Sequence, residues 1–83
     1  MCLGIPGQIL GIKDADNFLA TVSVAGVRRE INIACIVGPE QSPQDCTGDW
    51  VLVHVGFAMA RINEQEAAEI LIALSELDER ESD

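Results

Sequence analysis

Thiols and imidazoles are few in this 83-residue sequence: Cys2, Cys35, Cys46 and a single histidine, His54. Cys2 stands apart because it directly follows Met1. Its small side chain favours removal of the methionine, which leaves a thiol and a free α-amine on one carbon. Their reference pKa values are about 8.5 and about 7.7–8.0. Sulfur and nitrogen so placed can close a five-membered chelate on a soft or borderline metal. Against this, terminal residues ordinarily fray and a free cysteine is ordinarily a small core hydrophobe. Taken as residue types, both readings of Cys2 stay open.

Other chemistries find less support. The cysteine count is odd and no C-x-x-C pair occurs, so neither a disulfide framework nor a structural zinc site is indicated. Cys2 and His54 could pair as nucleophile and base, yet no glycine-rich oxyanion loop accompanies them, and a chain this short leaves little room for a substrate pocket beside a core. Gly4 and Gly7 lack the Lys-Ser/Thr ending of a phosphate loop. The carboxylates gather towards the C-terminus, where capping and solvation account for them. The reading is therefore of a protein that is not an enzyme.

Composition narrows the partners. Fourteen acidic residues against five basic ones give −9, and Arg28-Arg29 is the one adjacent basic pair. With three aromatic residues in all, neither phosphate binding nor base stacking is favoured, so no nucleic-acid partner is expected. A protein with a basic face is the natural complement. No apolar run approaches the roughly 18–20 residues of a membrane span, and no basic leader precedes one. A cytoplasmic, single-domain protein over residues 1–83 is expected, with no membrane partner.

The elements that must position these residues follow from periodicity. Gly4, Pro6 and Gly7 read as a semi-stiff, exposed arm presenting the Cys2 thiol. Gln8 to Ile12 reads as a first strand, apolar on both sides, followed by the turn cluster Asp14–Asn17. Phe18 to Val24 alternates cleanly, with Phe18, Ala20, Val22 and Val24 on one face. Ala25-Gly26 turns the chain as either a two-residue or a bulged hairpin. Val27 to Ile33 returns with Val27, Ile31 and Ile33 on the apolar side. Arg29 falls on that side too, at an edge, with its stem across the core, or at a bulge. Cys35, in the apolar run to Val37, reads as a packed core residue. Gly38 to Gly48 reads as a loop carrying an exposed, incidental Cys46. Asp49 to Val55 sets Val51, Val53 and Val55 against Trp50, Leu52 and His54, and Phe57 to Ile62 follows as a further strand. Asn63 caps a helix with Glu66 three residues on, and Ala67, Ile70, Leu71, Leu74 and Leu77 share its apolar stripe. Ile72 lies nearly opposite that stripe. The fold class is mainly β: about five strands (1–62) forming a small barrel or curled sheet, one C-terminal helix (63–78) and an acidic tail (79–83).

One thiol and one imidazole are too few donors for a closed metal site, which takes four. Either no metal is bound, or it is held in a shared site completed by a partner. A carrier that must release its cargo needs the second arrangement.

Met1-Cys2-Leu3-Gly4-Ile5-Pro6-Gly7-Gln8-Ile9 resembles the N-terminal signature of the HypC/HupF/HybG family of nickel–iron hydrogenase maturation chaperones. Gly48 to Met59, with Trp50, His54 and Gly56, resembles the family's second block, and the likeness spans essentially the whole chain. It implies an OB-like β-barrel with a C-terminal helix. It also implies a role in carrying the Fe(CN)2CO group, as transient iron rather than a tightly bound cofactor. The implied partners are HypD and the precursor of the hydrogenase large subunit. The family's essential cysteine falls on Cys2 and its block histidine on His54, while the segment Cys2, Leu3, Gly4, Ile5, Pro6, Gly7 and Gln8 would meet partners. Cys35, Cys46 and the loop from Gly38 to Thr47 match no family motif. The alternative is a metal-free adaptor that holds the precursor open.

Overall fold

The computed structural model describes residues 4–81, and side chains over 4–76. Five strands, β1 (Ile5–Asp14), β2 (Leu19–Val24), β3 (Val27–Asn32), β4 (Trp50–His54) and β5 (Phe57–Ile62), close into a barrel in the order β1-β2-β3-β5-β4, and α1 (Glu64–Glu81) follows. This is the expected mainly β, OB-like barrel with one C-terminal helix.

β1 is longer than its periodicity suggests, and two bulges explain why. It pairs antiparallel with β4 over Ile5–Gln8 and with β2 over Gly7–Asp14. Leu10 and Lys13 are the extra residues of the β2 pairing, with register shifts between Ile9 and Gly11 and between Ile12 and Asp14. A bulge resets the alternation of side chains. Ile9 is therefore buried and Ile12 packs against the same core although they lie three residues apart, while Leu10 turns outward. The mixed face read from the sequence is the trace of this reset.

The core is aliphatic. Ala20, Val22 and Val24 of β2, Ile31 and Ile33, and Val51 and Val53 of β4 meet Ile9 and Ala58 inside the barrel. Fully burying one such Val or Ile is worth about 1.5–3 kcal/mol, so each is a large share of a stability of roughly 5–15 kcal/mol. Phe18 departs from the expected alternation: its φ of 56° ends the strand pattern, and its side chain is exposed. Before it, Asp14 accepts hydrogen bonds from the backbone and side chain of Asn17 (3.4 and 2.7 Å), and the Asn17 amide holds the Asp14 carboxyl below its usual range.

The β2–β3 and β4–β5 hairpins are tight. Val24 pairs with Val27 and His54 with Phe57, leaving Ala25-Gly26 and Val55-Gly56 as two-residue turns with positive φ at every position (52° and 80°; 52° and 83°). That is the signature of the type I′ turn, whose twist matches the strands it joins.

Two cysteine readings are corrected. Cys35 is exposed, because β3 ends at Asn32, whose side chain accepts a bond from Ala34 N–H (2.9 Å), and the chain turns out of the sheet. Cys46 is buried, in a 3-10 turn over Pro43–Cys46 within the region read as loop. Ser42 N–H donates to the Asp45 carboxylate (3.2 Å) to start the turn, and Gly48 N–H, donating to the Ile9 carbonyl (2.7 Å), fastens the end of the loop to β1. Arg61 of β5 reaches over to donate to Gln41 (2.8 Å) and to the Cys46 sulfur (3.2 Å).

The helix starts as its capping residues require. Asn63 Oδ1 accepts from Glu66 N–H (2.7 Å) and Asn63 N–H donates to the Glu66 carboxylate (3.2 Å). The helix continues three residues beyond its expected end. It packs on β1 and β4 through Ala67, which is buried, and Ile70 and Leu74, which are half-buried; Leu71 and Ile72 stay exposed.

Gly7 is the tightest point. A Cβ there would lie 2.7 Å from Val22 Cγ1 and 3.1 Å from Val24 Cγ2. Gly7→Ala is expected to cost about 1–3 kcal/mol by overpacking, lowering Tm by roughly 4–8 °C per kcal/mol in a domain this size. A thermal melt followed by circular dichroism checks it.

Candidate functional site

The expected arm is largely a strand. Ile5 to Gln8 belong to β1 and are paired to β4, with Pro6 and Gly7 buried, Gln8 half-buried and Ile5 at 41% exposure. Gln8 is fixed by its amide, which donates to the Gly48 carbonyl (3.2 Å). Pro6 and Gly7 therefore position the segment rather than offer contact surface. Cys2 and Leu3 lie outside the described residues.

His54 ends β4 on the barrel's outer face, half-exposed. The β1–β4 register runs Gln8–Trp50, Gly7–Val51, Pro6–Leu52, Ile5–Val53. Continued by one residue, it sets Gly4 opposite His54. Gly4 is close against this strand, since a Cβ on it would meet Leu52 Cβ at 3.1 Å. The fold thus brings His54 to the end of the sheet where β1 begins, although the two strands are far apart in the sequence. Among the described residues, no three His, Cys, Asp or Glu side chains gather as a metal-binding group.

A cleft of about 440 Å³ opens beside this point. Ile5, Val53 and Val55 line one wall, and Arg28, Arg29 and Glu30 the other. Arg29, whose place the alternation left open, is exposed and lines this cleft from the middle of β3, opposite Val22 in the register. The cleft escapes a sequence reading because its walls come from three separated strands. Its local signals are the basic pair Arg28-Arg29 and a valine at a turn position.

Residues 1–81 of the chain match the HupF/HypC family. The chain belongs to that family. Over 79 residues it is 52% identical to the hydrogenase maturation factor HypC of Rhodobacter capsulatus, covering 95% of this chain and 80% of that protein. Identity to the hydrogenase maturation factor HybG of Escherichia coli K12 is 50% over 78 residues, 94% of this chain and 93% of the relative. HypC of the same strain is 43% identical over 83 residues, all of this chain and 89% of the relative. The block resemblances at residues 1–9 and 48–59 thus belong to a likeness that extends along the chain.

Val55 is β-branched, 78% exposed and held at φ 52°, a conformation that costs an L-residue about 1–2 kcal/mol. Val55→Asn, which creates the preferred Asn-Gly turn, is expected to raise Tm by several degrees, about 4–8 °C per kcal/mol recovered. The thiols are distinguished by labelling. In a Cys2→Ala background the native chain should take up one equivalent of maleimide, at exposed Cys35, and a second at buried Cys46 only in denaturant. Mass spectrometry of the labelled chain reads both.

Proposed function

We propose that this protein is a hydrogenase maturation chaperone that carries the Fe(CN)2CO group through Cys2, in a site completed by HypD. It then delivers the group to the precursor of the nickel–iron hydrogenase large subunit. Family membership supports the maturation role. The observation that supports the finer reading is the pairing of Ile5 with Val53, which sets His54 next to the β4 residue that meets the N-terminal end of β1.

The chemistry then follows from the donors. At neutral pH only roughly a few per cent of an ordinary thiol is ionised, so the neighbouring α-ammonium or the partner's metal must favour the Cys2 thiolate. His54 has three roles open to it: orienting the sulfur, taking its proton, or contacting the iron. Cyanide and carbonyl are strong-field ligands, so the cargo is inert until competing thiolates attack. Transfer to large-subunit cysteines exchanges one iron–thiolate bond for another, and is close to isoenergetic. A carrier with few donors of its own can complete that exchange, because nothing else retains the ion.

The decisive experiment is Cys2→Ala in a strain whose hydrogenase activity depends on this protein. Maturation should fall to background while the melting curve is unchanged, and Cys35→Ser should mature hydrogenase normally. Infrared bands of bound cyanide and carbonyl should be present on the wild-type complex with HypD and absent with Cys2→Ala. Full activity of that variant rejects the carrier mechanism and leaves the adaptor. For His54→Ala, HypD binding should persist while the infrared bands weaken. Recovery with His54→Gln marks an orienting hydrogen bond, since an amide does not take the proton.

A further inference from the structure

The two edges of β3 are used very differently. Along its whole length it pairs with β2, whereas on the other side it meets β5 at the single parallel pair Asn32–Phe57. Two bonds fix the direction of its backbone groups. Ile33 N–H donates back to Phe18 at the start of β2 (2.8 Å), and Asn32 N–H donates to Gly56 on the β5 side (3.0 Å). Such directions alternate along an antiparallel strand. The N–H and C=O of Arg28 and Glu30 therefore point away from β2. The cleft lining agrees: Arg28, Arg29, Glu30 and Ile31 are consecutive. Strand side chains alternate between faces, so a cleft touching four in a row runs along the strand's edge.

Charge selects what would fit there. Lys13 is engaged by Glu30 (2.6 Å) and Arg61 by Asp49 (3.7 Å). No ion pair joins Arg28 or Arg29 to another described residue. In a chain of net charge −9, these two cations make the cleft the place where a carboxylate is accommodated, and the facing wall of Ile5, Val53 and Val55 accepts an apolar side chain.

We propose that the open edge of β3 is a strand-docking site for an extended, acidic and apolar segment of the client protein. The segment adds to the sheet through backbone bonds at Arg28 and Glu30. Its carboxylates meet Arg28 and Arg29, and an apolar residue rests on Ile5, Val53 and Val55. This deepens the carrier reading and rests on it for the identity of the client. A strand seated there lies beside Ile5 at the start of β1 and beside Val53 and Val55, which flank His54 in the sequence. The rival use for three charges in a row on an edge strand is to keep the edges of two copies from pairing.

Hydrogen–deuterium exchange of the full chain, alone and mixed with the large-subunit precursor, tests the proposal. Exchange over residues 27–31 should slow by about tenfold or more in the complex. The double variant Arg28→Glu/Arg29→Glu, with its melting temperature unchanged, should bind the precursor at least roughly tenfold more weakly. If a complex forms in which 27–31 exchange as in the free chain, or the double variant binds as well as wild type, strand docking is overturned and the carrier reading stands. Should the wild-type chain form no complex with the precursor, the carrier reading fails and this proposal with it.

Discussion

β1 pairs with β4 through its first residues and with β2 through the rest, and the barrel closes because one strand serves both neighbours. A flat strand could not do so. The bulges at Leu10 and Lys13 bend it, and Gly7 lets the wall approach Val22 and Val24 at the point where the two pairings overlap. The proposed carrier site is attached to this strand. The thiol precedes it, His54 lies across from its beginning, and α1 packs on it and β4. A change that loosens β1 would therefore disturb the site and the core together.

At the opposite seam the barrel is held by one parallel residue pair between β3 and β5. That economy leaves backbone groups of β3 without a strand partner and opens a cleft where the only adjacent basic residues of a strongly acidic chain are displayed. The turn Val55-Gly56 borders it, carrying an exposed valine in a backbone conformation valine disfavours. Strain of this kind persists where the surrounding pairing over-determines it, and here His54–Phe57 pairing does so. The strong seam at β1 and the weak seam at β3 thus divide the barrel into a closed wall and an open one.

Much of this was legible along the chain. The alternation in Ala20-Val22-Val24 and in Val51-Val53 placed the core face of β2 and β4 correctly, since each strand buries one side. Asn63 and Glu66 announced the helix start, because a capping box is a local arrangement of four residues. The cysteines resisted the same treatment. Cys35 lay in an apolar run that nevertheless left the sheet, and Cys46 lay in a polar stretch that folded into a 3-10 turn beneath Arg61. Burial of a loop residue depends on what covers it, and no neighbour in sequence records that.

The order of residues by itself determined where most strands and the helix would form and which of their faces were apolar, since these depend on periodicity and capping. Only the tertiary structure decided that the β1 end meets β4 beside His54, that Ile5 to Gln8 are wall rather than arm, and that β3 keeps an open edge. Those outcomes come from register and barrel closure, which are settled by contacts between residues far apart in the chain.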